Sequence, residues 1–329
     1  MIILHAPVDI ARQMEIISKA QTELGHPSFY FDMTPRRIAK LSFRSFPAVF
    51  VADIIQLHYA RSFLSPVVEV THFGQRNPSV LTADLPVLKS MGKRIVFHFH
   101  GCDVRYYEPG MDYPLNACEH CYREQAGRRK RELMSRLRGF ADKFVVTTPD
   151  LLRFVPEAAY VPTALRIEEW QFTPPRKHDL PLRIVHAPSR PFGIKGTDHV
   201  LKALRPLIKA GKATLSLVQN MSRRQVLDTC RQADIAIDQL LVGWYGVFAQ
   251  EMMALGKPVI CYIDPRLNHF QRELPLINAS PKTLSSAVEE LLMDEQLRSR
   301  KGFEGRGFVE RVHSSRVIAA RLINLYNSL

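Results

Sequence analysis

RIVHAPSRPFGIKGTDHVLKAL, residues Arg183–Leu204, reads as a strand over Ile184–His186, a loop with two cations, and a helix opening at Thr197-Asp198. The cations are Arg190 and, after four intervening residues, Lys195-Gly196. Unpaired N–H groups in a first helical turn and the positive end of the macrodipole favour an anion at such a place. Lys195 and Arg190 add charge-assisted hydrogen bonds, bidentate for the guanidinium. A pyrophosphate fits that description, and so does a plain solvated loop. The stretch therefore fixes a strand–loop–helix unit and leaves its ligand open.

Outward from it, short apolar runs alternate with helical-period segments, the pattern of a parallel sheet covered by helices. Strands are expected at Ile2–His5, Ser28–Phe31, Ile54–Leu57, Arg94–Phe97, Phe144–Thr147 and Ala159–Val161, then at Ile184–His186, Thr214–Val218, Ile235–Asp238 and Pro258–Tyr262. The first helix places Ile10, Met14, Ile17, Ala20 and Leu24 on one face and stops at Gly25. Ser222 with Gln225 forms a capping box ahead of a helix over Arg223–Ala233. Further helices are expected at Asp198–Ala210, near Val247–Ala254, after Ser280-Pro281, and through most of Asp294–Leu329. Clustered prolines and charges in Pro162–Pro181 interrupt the rhythm. The expected fold class is α/β with two doubly wound, Rossmann-like domains. The expected division is 1–165, a linker over 166–181, a second domain over 182–308, and a C-terminal helix over 309–329 crossing back toward the first domain. Such domains bind ligands at the carboxyl ends of their strands, here expected to face an interdomain cleft.

Composition narrows the partners. The chain has 329 residues and a formal net charge of +13, which points to an anionic partner such as a phosphorylated ligand, a phospholipid surface or nucleic acid. No aromatic-rich basic platform or nucleic-acid motif accompanies the charge, so nucleic acid is not expected as a partner. No apolar run approaches the ~20 residues of a bilayer span. The opening MIILHAPVDIARQ lacks the basic and long apolar regions of a signal peptide, so a cytoplasmic location is expected. Five cysteines do not suggest a disulfide framework.

A second segment, ADIAIDQLLVGWYGVFAQEMMALGKPVICY over Ala233–Tyr262, gives the anion loop a partner. A strand ends at Asp238, a loop runs through Gly243 and Gly246, and Glu251 lies about one turn into the helix that begins near Val247. Gly246 lets main-chain N–H groups approach a ligand, and a carboxylate such as Glu251 can accept a pair of ribose hydroxyls. A surface glutamate ahead of core residues Met252, Met253 and Leu255 is the alternative.

Taken together, Arg190, Lys195-Gly196 and Glu251 ahead of MMALGKPVI resemble the donor-binding domain of retaining glycosyltransferases of family 4, which have the GT-B architecture. The resemblance implies that Arg190 and Lys195-Gly196 grip a sugar-nucleotide diphosphate and that Glu251 binds the ribose. One departure is plain: Gly243 stands where the family has a second glutamate, eight residues before Glu251. Asp238, or main-chain groups at Gly246 and Val247, would then have to replace its contacts with the transferred sugar. In the first half, RIVFHFHGCDVR (Arg94–Arg105) resembles the family's His-Gly-x-Asp motif, with His100 toward donor sugar or acceptor and Asp103 and Arg105 behind it. His98, within the strand, is expected to be a satisfied core residue. Arg12 occupies the expected position of a glycine in the first loop, which removes glycine's close backbone approach and offers a cation to the acceptor side instead. His58 and Arg61 in LHYARSFLSP line the same side by resemblance.

Two further groups carry weaker chemistry. Cys102, Cys118 and Cys121, with His120 inside NACEHC, offer one zinc knuckle where a strong signal needs two, so no metal is expected there. Arg123–Lys143 gathers basic residues on a helix with Leu133, Met134 and Leu137 as its apolar side, suited either to solvent or to an anionic membrane surface. The resemblance implies a metal-independent retaining hexosyltransferase that uses UDP- or GDP-sugar and no catalytic cofactor. Its expected acceptor is a saccharide or lipid-linked glycan in surface polysaccharide assembly, at the membrane's inner face. A GT-B nucleotide-sugar epimerase and a non-catalytic sugar-nucleotide-binding protein are the alternatives.

Overall fold

The computed structural model describes residues 1–33, 47–63, 82–107, 117, 124–174, 180–188, 193–271 and 273–329. The chain divides into two compact units. The first comprises Met1–Glu108, Arg123–Ala164 and Ser315–Leu329; the second comprises Pro109–Tyr122 and Leu165–Ser314.

In the first unit, β1 (Ile3–Ala6), β2 (Ser28–Tyr30), β3 (Ile54–His58), β4 (Arg94–Phe99), β5 (Lys143–Val146) and β6 (Ala159–Tyr160) form a parallel sheet in the order β2-β1-β3-β4-β5-β6. Alternation along each strand gives the sheet two faces. Leu4, Ile55, Leu57, Ile95, Phe97, Phe99 and Val146 pack one face against Met134 and Leu137 of the helix Glu124–Arg138. Ile3, Ile54, Val96 and Val145 pack the other against Ile16 and Ile17 of the helix Gln13–Glu23 and against Ile318 and Leu322 of the helix Ser315–Asn327. Strand order changes direction between β1 and β3, so the connections leaving those two strands diverge at their carboxyl ends, the place where open α/β sheets bind ligands.

The second unit repeats the plan with β7 (Leu182–His186), β8 (Ala213–Leu217), β9 (Ile235–Ile237), β10 (Val259–Cys261) and β11 (Ile277–Asn278), ordered β11-β10-β9-β7-β8. Its switch point lies between β7 and β9. Ile184, Ile235, Ile237 and Ile260 meet Val200 and Leu204 of the helix Thr197–Lys209 on one face. Val185, Ala236 and Val259 meet Phe248, Met252 and Met253 of the helix Val247–Ala254 on the other. Part of the stretch expected as a linker belongs to this core, with Ile167 and Trp170 buried in it.

The ten strands read from sequence appear within two residues of their expected limits. β11 has only two residues, too few to alternate visibly. The capping box is formed: Ser222 N–H donates to Gln225 Oε1 at 2.9 Å, and Gln225 N–H to Ser222 Oγ at 3.4 Å. The first helix differs. It begins at Gln13, because Ala11 and Arg12 take left-handed φ values of 53° and 59°, and Ile10 is therefore exposed rather than buried. The helix expected after Ser280-Pro281 starts at Leu284, since Ser280 and Thr283 close a hydrogen-bonded turn first.

Gly256 has φ +80°, and a Cβ built there would lie 2.3 Å from the Phe172 ring. The ring can swing aside, whereas the left-handed backbone costs any L-residue about 1–2 kcal/mol. Gly256→Ala is therefore expected to lower unfolding free energy by at least that amount. Most of the loss should persist in a Phe172→Ala background, as read by chemical denaturation.

Candidate functional site

The second unit's switch point is organised by Asp238, which is fully buried at the end of β9. Its Oδ1 lies 3.0 Å from Lys195 Nζ, and its Oδ2 accepts the Gly246 N–H at 2.8 Å. Lys195 comes from the loop after β7, and the Leu240 N–H donates to its carbonyl at 3.0 Å. Gly196 makes this approach possible: it has φ +79°, and a Cβ would stand 3.2 Å from Leu240 Cβ. Thr197, at the start of the following helix, is buried and hydrogen-bonded at 2.9 Å to His186 Nε2; His186 Nδ1 reaches the Ile237 carbonyl at 2.9 Å. Burial lowers the pKa of His186, so its neutral ring donates from Nδ1 and accepts from the Thr197 hydroxyl.

Lys195 Nζ also lies 5.5 Å from the Phe248 ring centroid, a cation–π distance. Glu251 projects from the same helix as Phe248, one turn in, and remains partly exposed. Among the described residues its carboxylate has no hydrogen-bond or ion-pair partner. Burial raises its pKa to about 7; Lys195 and Arg223 pull it down, and Asp238 pushes it further up. Lys195, Gly196, Asp238, Gly246, Val247 and Glu251 thus fall in one region of this unit. Asp238 and the Gly246 N–H satisfy each other, and among the described residues no side chain caps the helix that starts at Val247. Arg190 lies outside the described residues.

In the first unit the corresponding loops carry two pairs of left-handed non-glycine residues, Ala11-Arg12 after β1 and Tyr59-Ala60 after β3. The position expected to need glycine thus keeps a glycine-like conformation with arginine in it. The Arg12 guanidinium turns to Glu15 at 3.0 Å. Asp103 accepts the N–H groups of His100 (3.0 Å) and Gly101 (2.7 Å), closing the turn after β4. Arg105 pairs with buried Asp150 at 2.7 Å. Arg61 is half-buried beyond Tyr59-Ala60. Arg12, Asp103 and Arg105 therefore all make contacts within their own unit, and His100 stacks on Tyr59 with ring centroids 4.4 Å apart.

The sheet face under the helices Gln13–Glu23 and Ser315–Asn327 changes from apolar to polar toward these loops. His5, Gln56, His58 and His98 on it are all fully buried. His5 Nε2 reaches Gln21 Oε1 at 2.8 Å, and its Nδ1 reaches His58 Nε2 at 3.1 Å. His58 Nδ1 reaches His100 Nε2 at 2.9 Å. The Gln56 amide lies 2.6 Å from His98 Nδ1, and Tyr326 from the C-terminal helix hydrogen-bonds to its other end. His98 Nε2 has no partner among the described residues, so the expected satisfied core histidine is satisfied there on one side alone. Burial lowers the pKa of His5 to about 4 and of His100 to about 3, and holds His58 and His98 well below the usual range, so the group is neutral at pH 7. The i, i+2 spacing of His98 and His100 was a visible signal. Their meeting with His5 and His58 required the strand order.

Of the cysteine group, Cys102 is an exposed free thiol, while Cys118, His120 and Cys121 lie outside the described residues. The apolar side of the basic helix is spent inside the protein, with Met134 and Leu137 in the core and Leu133 packed against it. Arg128, Arg136 and Arg138 stay exposed. No described helix is long and apolar enough to cross a membrane.

No family model and no curated protein matches the chain. Solved structures do match in fold. Sucrose-phosphate synthase from Thermosynechococcus elongatus superposes with a TM-score of 0.62 at 15% identity, covering 99% of this chain and 98% of its own. HepE from Anabaena, in complex with UDP-glucose, gives 0.60 at 12% identity over 100% and 99%. The lipopolysaccharide outer core galactosyltransferase WaaB gives 0.58 at 11% identity over 100% of both. The fold is α/β with two Rossmann-like units, that of GT-B proteins.

Glu251 sets a pH dependence on stability. Its folded pKa of about 7 exceeds the ordinary 4.5, so between those values the folded chain holds a proton that the unfolded chain releases. Stability therefore falls as pH rises through that window. Glu251→Gln is expected to stabilise the protein at pH 8 by on the order of 1–3 kcal/mol, with the difference fading toward pH 4.5 in denaturant titrations.

Proposed function

We propose that this chain is a glycosyltransferase drawing its sugar from a nucleoside diphosphate donor. The observation that carries the reading is Lys195, held by buried Asp238 at the switch point of the second unit beside a carboxylate with no partner among the described residues. A fixed ammonium beside a helix start suits a diphosphate, and Glu251 suits the ribose hydroxyls. Asp238 acts through Lys195, since its own oxygens are occupied. UDP is the favoured nucleotide, because HepE, which shares the fold, holds UDP-glucose.

In this reading Lys195 and Arg190 stabilise the charge that grows on the departing diphosphate, the part a divalent ion plays elsewhere. The acceptor hydroxyl attacks on the face the diphosphate leaves, with retention of configuration, the bond from the anomeric carbon to the diphosphate oxygen breaking as the hydroxyl proton passes to the departing diphosphate. His100, oriented by the Asp103-capped turn, serves the sugar or acceptor side with Arg61; His58, expected on that side, is fully buried and stands behind His100, while Arg12 and Arg105 shape the loops there. A saccharide or lipid-linked acceptor of a surface glycan fits the basic charge. The exposed arginines of the helix Glu124–Arg138 would meet an anionic membrane through charge alone.

One observation favours a second reading, a sugar-nucleotide-binding protein without efficient transfer. Gly243, in the position of the family's second glutamate, has φ +85°, and a Cβ there would lie 3.2 Å from Asp264 Cβ. Its carbonyl accepts the Asp264 N–H at 2.9 Å. The loop is thus built around glycine, and restoring a glutamate would strain it.

A thermal-shift series with UDP-, GDP-, ADP- and dTDP-sugars tests the proposal. A ligand at 100 times its Kd should stabilise by ~2.7 kcal/mol. The UDP-sugar shift should disappear in Lys195→Ala, and affinity should weaken as pH falls below 7, where Glu251 becomes neutral, with a flat profile in Glu251→Gln. Absence of any nucleotide shift would remove the proposal. A shift without nucleotide release in the presence of acceptors would select the binding-only reading, and nucleotide release without acceptor the epimerase.

A further inference from the structure

We propose that His58, His98 and His100 form a binding site for a divalent transition metal of the zinc class within the first unit. The proposal goes beyond the donor-sugar reading and does not rest on it.

The topology brings the three rings together. His58 and His98 are register partners on β3 and β4, and His100 follows His98 by two residues on the same side of the chain. Ring centroids stand 5.2 Å (His58–His98), 5.1 Å (His58–His100) and 4.5 Å (His98–His100) apart. One ring nitrogen from each lies within 4.8 Å of the other two. Zinc–nitrogen bonds of 2.0–2.1 Å in a tetrahedron place ligand nitrogens about 3.3 Å apart, so small side-chain rotations close the set.

Proton placement favours a cation over a further hydrogen bond. Gln21 Oε1, which also takes the Ser28 hydroxyl, accepts from His5 Nε2–H. His5 Nδ1 is then a bare lone pair and accepts from His58 Nε2–H, which leaves His58 Nδ1 bare toward His100. The near end of the Gln56 amide lies 3.4 Å from His58 Nε2 and 2.6 Å from His98 Nδ1. The structure places Nε2 at that end, with Oε1 accepting from the Tyr326 hydroxyl; a half-turn of the amide turns the oxygen toward the His58 Nε2–H and makes the Tyr326 hydroxyl the acceptor at the other end. The oxygen then accepts from His98 Nδ1–H as well, and His98 Nε2, a buried nitrogen with no partner among the described residues, is a second bare lone pair. Two lone pairs thus converge near His100 Nε2, whose single N–H can satisfy one of them. An ion satisfies all three nitrogens once the His100 proton moves to Nδ1, and no electron changes hands.

The surroundings suit such an ion. His5 and Gln56 hold the outer nitrogens of His58 and His98, the orientation that metal-bound imidazoles require. Three imidazoles without a carboxylate select a zinc-like ion over calcium or magnesium. His100 is only partly buried, which leaves a fourth position open to water or a hydroxyl.

The test uses the full chain treated with a chelator and then titrated with zinc in competition with a chromophoric chelator. Cobalt(II) serves as the spectroscopic probe. One equivalent of zinc should bind and raise the melting temperature, and cobalt should give a tetrahedral spectrum free of thiolate charge transfer. His98→Ala should weaken binding by at least about 100-fold. His98→Phe, which fills the ring volume, should do the same if the alanine variant does not fold. Replacing Cys102, Cys118 and Cys121 together with serine should leave zinc affinity unchanged. The proposal is overturned if the wild type takes up no zinc, if His98→Ala or His98→Phe binds it as tightly, or if the cysteine variant loses it. UDP-sugar binding measured on the metal-free chain tests the donor reading separately.

Discussion

A buried carboxylate organises the second unit. Asp238 is fully buried at the end of β9, and an isolated charge there would cost several kcal/mol. It is tolerated because two partners arrive from separate segments: the Lys195 ammonium from the loop after β7 and the Gly246 N–H from the next helix start. One side chain therefore fixes the mutual position of strand end, anion loop and helix. The glycines follow from that demand. A Cβ at Gly196 would press on Leu240, and one at Gly246 would stand 3.3 Å from the Asp238 carboxylate. The raised pKa of Glu251 is a further consequence, since burial in this crowded corner outweighs the help of Lys195.

The first unit meets a similar demand without charge. Its sheet runs from Ile3, Ile54 and Val96 into His5, Gln56, His58 and His98 along one face. Neutral polar groups at that depth need partners, and Gln21 and Tyr326 supply them from the two covering helices. Tyr326 stands near the end of the chain, so the C-terminal helix completes a network begun at residue 5. The membership of Ser315–Leu329 in the first unit has this polar contact behind it as well as the apolar packing of Ile318 and Leu322.

The sequence made the fold legible because each parallel strand is a short apolar run followed by a helical pattern, and both signals are local. The anion loop was legible for the same reason, with Lys195 and Gly196 adjacent to their helix. Glu251 depended on a motif. What stayed hidden depends on strand order. Asp238 stands 43 positions after Lys195, and only the adjacency of β7 and β9 joins them. His5, His58 and His98 come from three neighbouring strands and look like isolated residues until the register is known. Arg12 misled in another way. Residue type argued against a left-handed backbone, yet Asp9 holds the next turn, accepting the Met14 N–H at 2.9 Å, and the Arg12–Glu15 ion pair braces it.

The two switch points share a topology and differ in electrostatics, and the difference follows from what each residue can do when buried. An ammonium held by a buried carboxylate yet left 18% exposed is positioned and still accessible, which suits a ligand carrying phosphate charge. Imidazoles kept neutral by burial carry no such field and offer lone pairs and N–H groups. Such groups suit hydroxyls or a soft-to-borderline cation and gain nothing from a phosphate. The division of chemistry between the units thus arises from the side chains that end β3, β4 and β9, on sheets whose strand order is otherwise alike.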